Sequence, residues 1–135
     1  MLNPAIHRYK SVQVKTSSPG ELLMLLYDGC FRFLHEAMAA IDKGERARAG
    51  ERLDRAHAIL GELVSTLRHE VWPELCANLE SVYMFCMGHI VQANLEQSTD
   101  KVKEVIDVLD PIRSGFREAV RQVVSGEAAP APPRV

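Results

Sequence analysis

SSPGELLMLLYDG, residues 17–29, is the stretch of sequence that decides the fold. Ser18 is a preferred N-cap residue, Pro19 suits the first position of a helix, and Glu21 occupies the third position, where a capping box has its acid. In such a box the serine hydroxyl accepts a hydrogen bond from a backbone N–H of the first turn. The stretch therefore predicts that the first helix begins at Pro19 and continues into a strongly apolar run.

The first predicted helix extends from Pro19 to about Lys43 and ends near Gly44, which can adopt the left-handed conformation of a C-cap. Its apolar residues occupy an arc of about 200°, whereas a surface helix needs only about 100°. The helix is therefore either enclosed by several neighbours or also covered by a segment outside the bundle.

Three further amphipathic helices are predicted, over about Glu45–Leu67, Pro73–Gln97 and Ser98–Val124. Their apolar residues recur every three or four positions, which is typical of helices that pack in a bundle. Pro111 lies on the outward side of the last helix and is expected to kink or split it. Four such segments joined by short links predict an all-α fold, an antiparallel up-down-up-down four-helix bundle.

The bundle is expected to occupy residues 18–124, between two segments of different composition. Residues 1–17 form a predicted N-terminal arm, in which Ile6, Tyr9, Val12 and Val14 are apolar side chains at loose spacing, so that a frayed tail and a docked arm both stay open. Residues 125–135 contain three prolines and three alanines, which predicts a disordered tail.

Bulk composition indicates one soluble globular domain. The chain has 135 residues, of which 47% are hydrophobic and 25% charged, as is ordinary for such a domain. A net charge of −2 argues against a protein that binds nucleic acid. Three cysteines in apolar runs predict buried thiols in a reducing compartment. No apolar signal segment opens the chain, and the longest nearly uncharged run, Val82–Val91, is about half the length that spans a bilayer. We therefore expect a cytoplasmic protein without membrane insertion.

The sequence does not contain the residue patterns of common catalytic or metal sites. A ferritin-like di-iron bundle needs Glu-x-x-His motifs, and none is present. The five histidines do not pair at helical spacing, and Cys-x-x-Cys, glycine-rich phosphate loops and Gly-x-Ser-x-Gly are missing. We therefore predict that the protein is not an enzyme and uses no metal or cofactor. Arg113, Arg117 and Arg121 form a basic stripe that is either a solvated helix face or a docking patch for an acidic partner.

Surplus apolar surface is the feature that points to a function. Helix 2 has an outward row of mostly small residues, which includes Ala58, Gly61 and Ser65. Its glycines are either tolerated surface residues or a place where a partner's backbone lies close. Helix 3 extends its apolar surface outward through Tyr83, Met84, Met87 and Val91, which either pack on a neighbouring helix or bind varied partners. A groove for an amphipathic helix would use both features.

Several motifs together resemble the FliS family of flagellar export chaperones. They are Tyr9 in the arm, Ser18-Pro19 with Leu22, Leu26-Tyr27-Asp28-Gly29, Ala77-Asn78-Leu79 with Tyr83, and Ala93-Asn94-Leu95 followed by Asp100. The resemblance covers the chain from about Ile6 to Phe116. It implies a cytosolic four-helix bundle that binds the disordered C-terminal segment of flagellin, prevents its premature polymerisation and keeps it competent for export.

The resemblance also implies roles for the partner-binding residues. The arm of this family can cover part of the client surface and move when the client arrives, which gives a role to Ile6, Tyr9 and Val12. We expect the client surface itself to be lined by Tyr83, Met84, Met87 and Val91, with Ala58, Gly61 and Ser65. A contact with the flagellar export gate is left open. The alternative function is a homodimeric or regulatory helical adaptor that binds a partner other than flagellin.

Overall fold

The computed structural model of the protein describes residues 18–126, which form four α-helices and contain no β-strand. The helices are α1 Pro19–Asp42, α2 Arg46–Ser65, α3 Pro73–Glu96 and α4 Thr99–Ser125. The predicted all-α class is confirmed. The predictions for the arm, including Ile6, Tyr9 and Val12, and for the tail beyond Gly126 lie outside the described residues.

The four helices pack in a ring, in which α1 and α3 each contact α2 and α4. Pairs of contacts show that neighbouring helices are antiparallel. On α2, Gly50 lies against Asn94 and Gly61 lies against Met87, so the residue numbers rise along one helix as they fall along the other. The other three pairs show the same opposite order. Gly29 and Glu36 of α1 contact Ile59 and Arg52 of α2, and Gly20 and Asp28 of α1 contact Val120 and Arg117 of α4. His89 and Glu96 of α3 contact Glu104 and Lys101 of α4, so the predicted antiparallel four-helix bundle is confirmed.

The helix termini follow from local chemistry at residues that the sequence marks. The Ser18 hydroxyl accepts a hydrogen bond from the Glu21 N–H at 3.2 Å, and Ser98 caps α4 in the same way. Gly44 has a φ of +72°, as expected for the left-handed residue after α1. The end of α2 differs from the prediction, because the helix stops at Ser65 rather than Leu67.

Pro111 lies within α4, which continues through it as one helix. Of the two outcomes predicted for this proline, the split therefore does not occur. A proline removes one backbone hydrogen bond and its ring presses on the preceding turn. Pro111 is exposed, so the carbonyl group that loses its partner lies on the side of the helix that faces water.

The core is continuous through the bundle, and α1 contributes to it along its whole length. The largest fully buried side chains include Leu26, Tyr27 and Leu34 of α1. Among the described residues, the exposed large apolar side chains lie on the α2–α3 link, on α3 and at the end of α4, and none lies on α1. The broad apolar arc of α1 is therefore enclosed by its neighbours in the bundle.

Two further predictions concern cysteines and membranes. All three cysteines are free and buried, as the apolar runs around them predicted. None of the four helices combines the length and the hydropathy that crossing a bilayer requires.

Candidate functional site

An exposed apolar row runs along α3. Met84, Val91 and Leu95 are 55%, 48% and 65% exposed, and Gly88 lies between the first two. The spacing 84–88–91–95 places these four residues on one side of the helix, because positions three or four apart are neighbours on a helical surface. We call these four residues the α3 row.

Two glycines of α2 border this row from the neighbouring helix. A Cβ atom built on Gly61 would lie 3.7 Å from Met87 Cε, and one built on Gly50 would lie 3.5 Å from Asn94 Oδ1. Side chains of α3 therefore lie directly over both glycines. The contact within the chain explains part of the small-residue row of α2, for which a partner's backbone and tolerated surface glycines were the two alternatives.

The junction of these helices forms a shallow apolar surface. Met87 is half-buried and contacts Gly61, and the α3 row lies next to Met87 on the same helix. Met87 covers Gly61 on the α2 side of the junction, while Met84, Val91 and Leu95 stay exposed to solvent. We call the α3 row with Met87, Ala58 and Gly61 the α2–α3 surface.

Of the other two α2 residues predicted for the site, Ala58 belongs to this surface and Ser65 lies at its margin. Ala58 is half-buried and packs against the core, one turn before Gly61. Ser65 is exposed at the end of α2, where its hydroxyl donates a hydrogen bond to the Glu62 carbonyl at 2.7 Å. Gly61 thus lies against Met87, with Ala58 one turn away along α2 and with Met84 and Val91 one turn away along α3.

Tyr83 does not belong to the exposed surface, which corrects its predicted position. Its side chain is 1% exposed, and its hydroxyl is hydrogen-bonded to the hydroxyl of Tyr27. Tyr83 shares its side of α3 with Leu79, Cys86 and Ile90, which are all buried. Successive helical residues are about 100° apart. When Tyr83 is buried, the next residue, Met84, therefore lies outside the buried face of α3.

Burial also changes the chemistry of the tyrosine pair. Loss of solvation raises the pKa of Tyr83 to about 12 and raises the pKa of Tyr27 further above its ordinary value. Both hydroxyls therefore stay protonated at neutral pH. The pair can bind neither a metal nor a substrate from solvent, so its role is internal to the bundle.

Phe85 is 54% exposed on α3, and it was not predicted as a surface residue from the sequence. Its ring stacks on His89 with a centroid distance of 5.2 Å, and His89 pairs with Glu104 of α4. Phe85 is therefore on the α4 side of the exposed face of α3. On a helical wheel Phe85 lies near Ser81 and Gly88, which are both exposed. This position could have identified Phe85 as a surface residue.

Large apolar side chains are also exposed at two places away from the α3 row. Trp72, in the link before α3, is 52% exposed. Val123 is 62% exposed because α4 extends beyond the start of α1. Val120 already lies at Gly20 in the first turn of α1, so the next turn of α4 has no described helix beside it.

The arginine stripe of α4 is paired with acids rather than free. Arg113 and Arg117 both form ion pairs with Asp28 of α1, and Arg121 pairs with Glu118. Arg113 also lies 3.7 Å from the centroid of the Phe31 ring. These contacts favour a solvated, charge-compensated helix face over a patch for an acidic partner.

The described residues contain no group of three or more histidine, cysteine or acidic residues that could hold a metal ion. The α2–α3 surface is instead apolar, shallow and accessible. Its chemistry suits the binding of another apolar surface, and a row with a 4-3-4 spacing fits the apolar face of an amphipathic segment.

Comparisons with known proteins agree on one family. A family model described as "Flagellar protein FliS" matches residues 1–123. The "Flagellar secretion chaperone FliS" of Bacillus subtilis is 33% identical over 113 residues, which are 84% of each chain. That of Campylobacter jejuni is 33% identical over 125 residues, 93% of this chain and 94% of the relative. That of Salmonella typhimurium is 28% identical over 106 residues, 78% of each chain.

Proposed function

Because this chain belongs to the FliS family of flagellar secretion chaperones, whose members are not enzymes, we propose that it binds the disordered C-terminal segment of flagellin. Binding takes place in the cytosol on the α2–α3 surface. It covers apolar helical faces through which flagellin would otherwise polymerise, and so keeps the client competent for export.

The α3 row is the observation that carries this proposal. Met84, Val91 and Leu95 are each about half exposed or more, although monomeric proteins seldom leave contiguous apolar side chains uncovered without a binding role. Methionine at Met84 and Met87 adapts to the different side chains that a folding segment presents. Met87 lies over Gly61 in the free protein, and its flexible side chain can shift to let a client helix approach the α2 side.

The N-terminal arm completes the proposal. We place Ile6, Tyr9 and Val12 over the α2–α3 surface when no client is bound, so that the arm and the client compete. Removing residues 1–15 should then tighten client binding or promote self-association, whereas an arm with no such role predicts unchanged behaviour. A client held ready for export would pass to the flagellar export gate, and co-purification with the tagged chaperone is the measurement that tests this contact.

Calorimetry with a peptide of the flagellin C-terminus tests the surface directly. Val91→Glu should weaken binding at least tenfold, because the unpaired carboxylate would be buried by the client at a cost above the ~1.4 kcal/mol that corresponds to tenfold. The fold should persist, since Val91 is 48% exposed in the free protein. Val124→Glu is the matched control, because Val124 is 65% exposed at the far end of α4. Equal affinity of both variants and the wild type would refute the assignment of the surface.

The same row could instead meet a second copy of the chain or a regulatory partner. Sedimentation of the purified protein separates these functions. A monomer that binds the flagellin peptide supports the chaperone. A tight dimer that Val91→Glu converts to monomers, without any affinity for the peptide, would replace the chaperone by the homodimeric adaptor.

A further inference from the structure

The rotation of α3 about its own axis is not determined by its hydrophobic pattern. The helix buries Leu79, Cys86 and Ile90 on one side and exposes Met84, Phe85, Val91 and Leu95 on others. Turning α3 would bury some of these side chains and expose others from the buried side, so that exposed apolar area alone discriminates only weakly between orientations of a helix that is apolar over most of its circumference. Some other interaction must therefore select the orientation that leaves the α3 row outside.

The hydrogen bond between Tyr27 and Tyr83 is an interaction that can select this orientation of α3. It joins α1 to α3, which lie across the ring from each other, and the two rings are 6.4 Å apart between centroids. The side chains are 0% and 1% exposed. The Tyr27 ring also lies 5.9 Å from that of Phe116 on α4, so its position is itself restrained.

A turn of α3 would break this bond and leave two hydroxyls without their partner. A buried hydroxyl without a hydrogen bond is destabilising, and Tyr27 stays in the core when α3 turns, so every orientation that moves Tyr83 away leaves the Tyr27 hydroxyl unpaired. Buried polar pairs select one register in this way in coiled coils, where apolar residues alone allow several.

We propose that Tyr27 and Tyr83 are positioning residues that set the rotation of α3 and thereby present the α3 row to the client. Fixing Tyr83 in the core places Met84 about 100° around the helix, at the α2 edge. The client part of this inference rests on the proposed function. The structural part does not, because the orientation of α3 is measurable in the free protein.

Methionine methyl resonances report the orientation of α3 without any client. The chain has five methionines, of which Met84 and Met87 are on α3 while Met24 and Met38 are on α1. The double variant Tyr27→Phe/Tyr83→Phe removes both hydroxyls together, so that neither is left unpaired and the fold is retained. Ile59→Val is the control, because it removes a methyl group from an equally buried position on α2.

In the double variant we expect the Met84 and Met87 resonances to split or broaden while those of Met38 stay sharp, and we expect the control to resemble the wild type. The flagellin peptide should bind the double variant about threefold or more weakly, in proportion to the loss of the binding-competent orientation. Single sharp Met84 and Met87 resonances at wild-type positions would overturn the inference and assign the orientation to packing alone.

The two proposals fail in different ways. If the wild type does not bind the peptide, the proposed function fails, and the methyl spectra still decide whether the tyrosines position α3. If the wild type binds and the double variant binds equally well, with an unchanged spectrum, only the positioning role is refuted. A split spectrum in Ile59→Val would also refute it, since any loss of core packing would then have the same effect.

Discussion

Gly88, in the middle of the α3 row, allows stability and binding to be changed in opposite directions. A Cβ atom built on Gly88 has no heavy atom within 4 Å, and the residue is exposed inside a helix of 24 residues. Gly88→Ala should therefore raise the free energy of unfolding by the full difference in helix propensity, about 0.8–1.0 kcal/mol. For a chain of this length that corresponds to an increase of about 3–4 °C in Tm.

Two other helical glycines calibrate this value. A Cβ atom on Gly61 would be 3.7 Å from Met87 Cε, which is an ordinary contact, so Gly61→Ala should gain about as much stability as Gly88→Ala. A Cβ atom on Gly20 would be only 3.0 Å from Val120 Cγ2. Gly20→Ala must displace that side chain, so its gain should be absent or reversed.

A larger side chain at Gly88 should separate binding from folding. Gly88→Leu keeps a good helix former at the position and should be at least as stable as the wild type. Its side chain would occupy the middle of the α3 row and hold a client helix away, so affinity for the flagellin peptide should fall at least tenfold. Ser114→Leu adds the same side chain to an exposed position on α4 and should leave the affinity unchanged.

Urea unfolding followed by circular dichroism gives the stability of each variant, and calorimetry gives its affinity. An unchanged free energy of unfolding in Gly88→Ala would contradict an open helical position at Gly88. Wild-type affinity in Gly88→Leu would refute the close approach of a client at this point. Because the predicted changes have opposite signs, partial unfolding cannot account for a loss of binding.

Three further predictions concern the caps, the thiols and high pH. Ser18→Ala and Ser98→Ala each remove a cap hydrogen bond, so each should lower the free energy of unfolding measured in urea by about 1 kcal/mol. An unchanged free energy of unfolding in either variant would contradict the role of that cap. Burial raises the pKa of the Cys30 and Cys86 thiols to about 12. At pH 8 these thiols should therefore react with a thiol reagent only as fast as the protein opens. Fast reaction of either thiol without urea would contradict its burial. The pKa of Tyr83 is raised to about 12 from 10.0, so its contribution to stability is complete below pH 10 and is lost as the pH rises towards 12. The free energy of unfolding measured in urea should fall in that window, and Tyr83 should account for about 1.4 kcal/mol per pH unit of the decrease, so that the decrease is less steep in Tyr83→Phe.

Helix boundaries were predictable where a single residue determines them. Ser18, Gly44 and Ser98 act through bonds or backbone angles within one turn, so the sequence is sufficient. The end of α2 was placed two residues too late, because Leu67 continues the apolar spacing although the helix has already stopped at Ser65. Spacing shows which residues can be helical, and it does not show where the last hydrogen bond forms.

The binding surface was predictable in its general location, and the error at Tyr83 has a physical cause. Val82 and Tyr83 are adjacent and both apolar enough for a core, so the pattern of α3 alone allowed either to face inward. The choice depends on Tyr27, which is 56 residues away and reaches Tyr83 only in the folded bundle. The arginine stripe was left with two alternatives for a similar reason, since the acid that pairs with Arg113 and Arg117 is Asp28 on another helix.

Three consecutive residues of the stretch that opens α1 account for its importance to the fold. Residues in a helix are about 100° apart, so Tyr27, Asp28 and Gly29 point in three directions. Tyr27 bonds across the core to Tyr83 of α3, and Asp28 pairs with two arginines of α4. A Cβ atom on Gly29 would be 3.4 Å from Ile59 Cδ1 of α2, so a side chain larger than that of alanine would push this neighbour away. One turn of α1 thus makes a separate contact with each of the other three helices, and only the contact with α3 also sets the orientation of the proposed binding surface.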